Sequence, residues 1–382
     1  MINTAFPYSG YVTGNNFVGR KADVTLLGNL LGQSEHVMLA EPPKSGVTSL
    51  VQQTLFSMRM SGKEFQLGSF SVQNIRTVQD FLLSLGNTVM RMAASSADEY
   101  ARIADKYLGG THFVFDPQEF GNTDMVLSLN WDVEPADIEA LLRFPFLLAR
   151  DSSKKFIIIA DSFHCIGLLD DPDVILRPLD AILKEFRYDK LLSWVFCGNG
   201  VNAMNAIFSG IRFSRIVERV HLSPVDELEM ADHVHKGFLS EGKVVEKELL
   251  QGACRLFKGH VWYINHLASI CDSMSKGYIV EAALVDALGC LISVHEPRFG
   301  AIMEDLTNHQ VSLLRATVDG VTRFSGSEVI RKYGLNSSAN VKRVKDALMK
   351  KEVLTFDAND NPKILDPLFE YWVKKYYFNI PG

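Results

Sequence analysis

The chain has 382 residues, 47% hydrophobic and 22% charged, with a formal net charge of −6. These values describe a globular protein of about two or three domains and exclude a disordered or collagen-like chain. No global basic field draws it to nucleic acid, so such a contact would need a local patch.

Five cysteines lie far apart without a C-x-x-C pair, mostly inside apolar runs. They read as small buried hydrophobes in a reducing compartment. Met1–Gly19 has neither the basic nor the apolar segment of a signal peptide, and no apolar run approaches the ~20 residues that span a bilayer. A cytoplasmic protein without a membrane contact is expected.

Residues 1–16 form an irregular lead-in rich in Gly, Asn and Tyr. Apolar spacing predicts a helix over Ala22–Leu31, a strand over His36–Ala40, a Pro/Gly loop, and a helix over Thr48–Met60. A strand over Phe65–Val72 and a helix over Val78–Ala93 follow. The stretch 94–153 reads as mostly helical, with an irregular segment at Thr111–Leu129 and a helix over Pro135–Arg150. Phe156–Ala160 and Leu191–Cys197 are apolar runs without alternation, as expected of central parallel strands covered on both faces. Strands alternating with helices indicate a doubly wound α/β domain with a parallel sheet over 17–222.

After Leu222-Ser223-Pro224 the pattern is helical only: Val225–Leu239, Glu246–Phe257, His260–Ser273 and Ile279–Leu291. These make a helical lid domain over 223–304. Over 305–382, helices near 309–318, 326–333 and 337–350 precede Val353–Phe356, a turn at 358–362, and Lys363–Asp366. Three helices and a hairpin are the order of a winged helix.

Glu41-Pro42-Pro43-Lys44-Ser45-Gly46-Val47-Thr48 stands between a strand and a helix, where G-x-x-x-x-G-K-[ST] would form a P-loop. In such a loop, backbone N–H groups cradle phosphates, the Lys neutralises them and the hydroxyl binds Mg²⁺. Here Gly46 and Thr48 keep the pattern, whereas Glu41 replaces the first Gly and Val47 the Lys. Both changes weaken anion binding, and Lys44, inside the loop, is a candidate substitute cation. The candidate nucleotide-binding residues are Lys44, Ser45, Gly46, Val47, Thr48 and Ser49. The alternative is a loop that keeps its shape and binds nothing.

Phe156–Asp161 has the form of a Walker B strand, with Asp161 placed to orient Mg²⁺ alongside Thr48. Ser162 stands where a water-activating Glu would be, and a serine is no base near neutral pH without help. Asp161 as a helix N-cap is the competing reading. Asn199, in Cys197-Gly198-Asn199-Gly200, sits where a polar sensor would meet the γ-phosphate, or simply forms a turn. Arg212 and Arg215 are candidates for a charge-sensing arginine. His164-Cys165 has no acid or second ligand at a recognisable spacing, and His233 and His235, at i and i+2, diverge on the predicted helix.

Together, Phe17-Val18-Gly19-Arg20, the loop at 41–48, the strand ending in Asp161, the C-G-N-G turn, Gly259-His260-Val261-Trp262-Tyr263-Ile264 and Asp366-Pro367-Leu368-Phe369-x-x-Trp372 carry a family likeness. The chain resembles, from about 10 to 378, the archaeal-type ATPase family of the STAND branch of P-loop ATPases related to AAA+ proteins. That family's pattern runs F-V-G-R-x-x-E, G-P-R-x-x-G-K-[ST]-S, I-I-I-D-E-F, a G-R ahead of L-x-P, G-H-P-x-Y-I and D-P-x-F-x-x-W. Arg20, Gly46, Thr48, Asp161, Arg215 and His260 match it, and Asp23 lies close to its acidic position. The likeness implies ATP or ADP with Mg²⁺ as ligand, contacts from Arg20 and His260, and a nucleotide base near the Pro that is Val261 here. Glu41, Val47, Ser162 and Val261 depart from it, so a weakened or lost hydrolysis is expected.

In the last domain, Lys342, Arg343 and Lys345 lie on the helix that a winged helix presents to DNA, opposite the apolar stripe Val341, Val344, Ala347 and Leu348. Three functions stay open: a nucleotide-binding regulatory switch, a nucleotide-free pseudo-ATPase that binds a protein partner, and a DNA-binding protein. An oligomer is compatible with each.

Overall fold

The computed structural model describes residues 5–123 and 125–380. They form two compact units: 22–41 with 54–222, and the chain up to Lys21 with 42–53 and everything from Ser223.

The elements run α1 (Lys21–Gly32), β1 (His36–Ala40), α2 (Val47–Met60), β2 (Gln66–Ser71) and α3 (Val78–Ala93). Next come α4 (Ala97–Leu108), β3 (Phe113–Phe115), α5 (Pro117–Thr123), β4 (Leu127–Leu129) and α6 (Pro135–Ser152). Then follow β5 (Phe156–Asp161), α7 (Asp173–Glu185), β6 (Leu192–Gly198), α8 (Val201–Phe208) and β7 (Val217–Arg219).

The sheet of this first unit is all parallel in the order β2-β5-β6-β1-β7. Its central strands are buried on both faces, which is why they read as unbroken apolar runs. Trp194 stacks on Phe196 at 5.4 Å, and Phe163, Phe208 and Phe213 extend the aromatic layer. His36 Nδ1 accepts the Trp194 N–H at 3.1 Å, and burial pushes the imidazole down to about 4. The ends of β1 and β6 are level, Ala40 beside Gly198, and the chain leaves them in opposite directions along the sheet.

The fold class agrees with expectation, and several elements refine it. The segment expected to be irregular, 111–129, holds the antiparallel pair β3–β4. Its amides at Val126 and Leu127 are bound by Asn87 Oδ1. The edge strand β7 escaped prediction because it is three residues long, Val-Glu-Arg, with two exposed. Helix α7, with Asp173 in its first turn, adds a helix between β5 and β6.

The second unit adds α9 (Glu227–Ser240), β8 (Val244–Val245), α10 (Lys247–Leu256), α11 (Val261–Met274), β9 (Tyr278–Ile279) and α12 (Glu281–Glu304). It ends with α13 (Asn308–Val318), α14 (Ser327–Tyr333), α15 (Ser338–Lys350), β10 (Leu354–Phe356), β11 (Pro362–Ile364) and α16 (Pro367–Trp372). Helix α12 continues through Pro297 to Glu304, well past the expected end at Leu291. The burial of Phe299 and Met303 holds the turns beyond the proline. One core joins Phe6, Phe238, Phe257, Phe299, Leu348 and Phe369. No helix among the described residues is long and apolar enough to cross a membrane.

Candidate nucleotide site

Within the second unit the loop at 42–46 is closed by the Ser45 N–H donating to Pro42 O at 3.2 Å. The Ser45 hydroxyl donates to the same carbonyl. Lys44 and Gly46 take left-handed φ values of 66° and 99°, turning the chain sharply into α2. The first α-helical bond, Leu50 N–H to Gly46 O, spans 2.9 Å. The amides ahead of it have no acceptor within the helix and carry the positive end of its dipole. Thr48 is exposed on this first turn, and Val47 is half-buried.

Arg20 braces the loop. Its Nη1 donates to Ser45 O at 2.7 Å and its Nε to Ser223 O at 2.8 Å. A Cβ on Gly46 would stand 2.8 Å from Arg20 Nη1, so glycine serves both the φ and the close approach. From the other side, the His260 ring donates to the carbonyl of Pro43. Burial pushes His260 down to about 4; Arg20 adds to this while the Asp366 carboxylate opposes it. His260 Nδ1 is itself buried without a protein partner. It is therefore a neutral imidazole at physiological pH.

Lys44 Nζ lies 5.4 Å from the centre of the Trp262 ring, a cation–π distance. Trp262 Nε1 donates to Tyr8 O at 2.5 Å, and Tyr8 stacks on His266 at 4.4 Å. Val12 N–H donates to Ser49 Oγ at 3.1 Å, and Gly14 N–H to Gln53 Oε1 at 2.7 Å. The lead-in is thus fixed to both α2 and α11. The Ser49 hydroxyl, counted among the nucleotide-binding candidates, serves as an acceptor for this segment.

The remaining candidates belong to the first unit. Glu41 was expected to place an anion beside the phosphates. Its carboxylate accepts Leu222 N–H at 3.1 Å and lies 3.6 Å from His221 Nδ1. Its N–H donates to Gly198 O at 3.3 Å. The residue thereby ties the end of β1 to the end of β6 and to the segment after β7, a structural use that explains its place here.

Asp161 is exposed at the end of β5, and its backbone carbonyl accepts Val72 N–H at 2.9 Å. Ser162 follows in the left-handed region at φ 52°, so no carboxylate succeeds Asp161. Asn199 is exposed between Gly198 and Gly200. A Cβ on Gly200 would meet His164 Cδ2 at 2.8 Å, so this turn is glycine-rich to admit His164. Cys165 Sγ lies 3.4 Å from His164 Nε2, but burial pushes the thiol up, away from a nucleophile's range. Arg215 is exposed at φ 62°, whereas Arg212 pairs with Asp173 at 2.8 Å.

On α15, Lys342 and Arg343 are exposed. Lys345 differs from them: its Nζ pairs with Asp360 at 2.6 Å and lies 4.0 Å from the Phe356 ring centre. It fastens the helix to the turn between β10 and β11.

The structure brings Arg20, Lys44, Ser45, Gly46, Val47, Thr48, Ser49 and His260 into one unit, with Asp161, Asn199 and Arg215 in the other. Tyr8, Trp262, Tyr263 and Asp366 were not among the candidates, although Trp262, Tyr263 and Asp366 stand inside motifs already noted.

Residues 297–375 match a family described as a probable winged helix domain. No curated protein matches the chain by sequence. Among solved structures, the chain resembles a Walker-type ATPase of Pyrococcus abyssi (TM-score 0.66, 15% identity, covering 97% of this chain and 100% of that one). The Aeropyrum pernix ORC2 protein, solved as ADPNP-ADP complexes, gives a TM-score of 0.55 at 12% identity, covering 95% and 93%. The Aeropyrum pernix ORC1 protein, solved in complex with DNA, gives 0.50 at 10% identity, covering 99% and 97%. The chain therefore has the fold of Walker-type and ORC-type AAA+ ATPases, with a C-terminal winged helix domain.

Proposed function

We propose that this protein is a nucleotide-binding switch of the P-loop ATPase type in which hydrolysis is weak or absent. The observation that carries the reading is the loop at 42–46, where Gly46 at φ 99° feeds the N-terminus of α2 while Arg20 and His260 hold its backbone. The shape supports phosphate binding by backbone N–H groups, with Thr48 on the first turn of α2 as the residue of this unit that would hold Mg²⁺. Bound Mg²⁺ would offset phosphate charge. Val47 supplies no cation, and Ser162 no general base, so binding is weakened and turnover more so. ORC2 of Aeropyrum pernix, which shares the fold, was solved with ADPNP and ADP. The functional divisions are taken as 17–222, 223–304 and 305–382, in a cytoplasmic protein.

Calorimetric titration of the purified chain with Mg-ADP and Mg-ATP tests this. Binding heat is expected at nucleotide concentrations up to about 1 mM. Its absence there overturns the switch reading in favour of a nucleotide-free scaffold for a protein partner. Lys44→Ala is expected to weaken binding about tenfold, if Lys44 leaves Trp262 for the phosphates. Unchanged affinity assigns Lys44 to Trp262 alone.

A second reading, DNA binding, is favoured by charge. Residues 308–382 hold twelve Lys and Arg against eight Asp and Glu, although the whole chain is −6. ORC1 of Aeropyrum pernix, which shares the fold, was solved with DNA. Lys342 and Arg343 on α15 and Lys363 on β11 are the exposed cations of that surface. A mobility shift with random duplex, lost as salt rises and weakened by Lys342→Ala with Arg343→Ala, is the expected result. No shift at low salt sinks it.

A further inference from the structure

We propose that Tyr263 and Asp366 form a mechanical link by which the state of the loop at 42–46 sets the order of helix α16. This deepens the switch reading by naming the path, and its principal test needs no nucleotide.

Two motifs near the ends of the second unit meet in space. Tyr263 comes from the Gly259-His260 segment that opens α11, and Asp366 from the Asp366-Pro367 pair that opens α16. The Tyr263 hydroxyl lies 2.9 and 3.0 Å from the two Asp366 oxygens, and Arg298 Nη2 donates to Asp366 at 2.6 Å. Arg298 also donates to the Tyr263 oxygen at 3.0 Å. Asp366 Oδ1 then caps α16 by accepting Leu368 N–H at 2.9 Å and Phe369 N–H at 3.1 Å.

Asp366 therefore bonds with four groups, two of them backbone amides of α16. A carboxylate so occupied has little freedom to move without loosening the helix it caps. Tyr263 leads from it back to the loop. Its ring lies 4.7 Å from that of His260, which donates to Pro43 O, and 5.6 Å from Phe257, which is fully buried. Each step is a hydrogen bond or a ring contact, and beyond the exposed Pro43 the side chains His260, Tyr263 and Asp366 are part-buried or buried. The path runs Pro43, His260, Tyr263, Asp366, α16, and every member belongs to the one unit. Displacing Pro43 releases His260, lets the Tyr263 ring rotate, and removes a donor from the carboxylate that holds the cap. α16 carries Phe369 and Trp372, which pack on Phe299, so its order is also that of the core beneath the winged helix.

A second bridge to α16 provides the control. Lys258 Nζ pairs with Glu370 at 2.5 Å, and the path through His260 does not use it.

Hydrogen exchange by mass spectrometry on the full chain, without ligand, tests the link through a double-substitution cycle. His260→Ala is expected to speed exchange at 43–50 and, about tenfold, at 366–373. Tyr263→Phe alone is expected to speed exchange at 366–373 while leaving 43–50 unchanged. In its background, His260→Ala should loosen 43–50 but add nothing at 366–373. Lys258→Met should instead add to His260→Ala at 366–373. The proposal is overturned if His260→Ala loosens the loop and leaves 366–373 as in the wild type, or if its effect there adds to that of Tyr263→Phe. Should His260→Ala fail to fold, His260→Phe keeps the ring stack and removes only the bond to Pro43. It is then expected to give the same pattern in weaker form, and a loosened loop with unchanged 366–373 overturns the link equally.

Mg-ADP forms a separate arm. Protection at 43–50 tests nucleotide binding alone, so its absence would remove the switch reading and leave the outcome of the substitution cycle unaffected.

Discussion

Val47→Lys is expected to tighten Mg-ATP binding by about a hundredfold, because it returns a cation to the first turn of α2. Val47 opens that helix directly after Gly46, so a lysine there starts at the mouth of the loop. The loop backbone is already braced by Arg20 on Ser45 O and His260 on Pro43 O, which limits how far it must reorganise. Little ordering cost would then offset the new charge contact. Calorimetry of this variant beside the wild type measures the effect. Equal affinity, in a variant that melts like the parent, would mean that the loop no longer presents its amides to phosphate. Hydrolysis is expected to stay slow, since Ser162 still follows Asp161 without a carboxylate.

Acid is expected to weaken both units well above the pH of ordinary carboxylate titration. His36 and His260 are each pushed down to about 4, from an ordinary imidazole near 6.5. Burial is the main cause for both. Lys190 adds to it at His36, and Arg20 at His260, where Asp366 and the bond to Pro43 act the other way.

The unfolded chain therefore takes up protons between about 6.5 and 4 that the folded one refuses. Stability is full above this window and falls as the pH drops through it. By pH 5 each imidazole costs on the order of 2 kcal/mol. His112, raised by its bond to Asp137, works in the opposite sense and offsets part of the loss in the first unit. Urea midpoints at pH 7 and pH 5 provide the measurement, with His36→Gln expected to flatten the dependence. A midpoint that does not move would show that these imidazoles protonate in place.

Much of the fold was legible because the strands that matter most are buried on both faces. β1, β5 and β6 have no polar face to blur, so each stands out as an apolar run between turn residues. β7 has only one neighbour and a mixed pattern, and α7 is masked by Asp171, Asp173 and an internal Pro178. Neither follows a clean period.

In the loop, the turn ahead of α2 could be read locally from Gly46 between a strand and a helix, since the segment is short. What could not be read was each side chain's distant partner. Glu41 looked like an anion beside phosphates, because nothing local shows that its acceptor role lies 181 residues away at Leu222. Lys345 looked equivalent to Lys342 by helical spacing, until the turn between β10 and β11 brought Asp360 to it. Asp366 and Tyr263 were visible as motif residues, yet only the fold shows that one motif completes the other.

The lead-in has a consequence for the order in which this protein can be made. Phe6 is buried in the second unit against Phe238, at 4.5 Å between rings. The loop at 42–46 belongs to that unit as well, although most of it starts at Ser223. On a ribosome both segments emerge before the rest of their core and must then wait for it, about ten seconds or more at ordinary elongation rates. The unit between them can collapse meanwhile, since its sheet is complete once β7 has been synthesised. Phe6 and the loop at 42–46 are thus among the last parts of this unit to find their places, and both must stay uncommitted until then. A cell that makes this protein has reason to shield Phe6 until Phe238 has been synthesised.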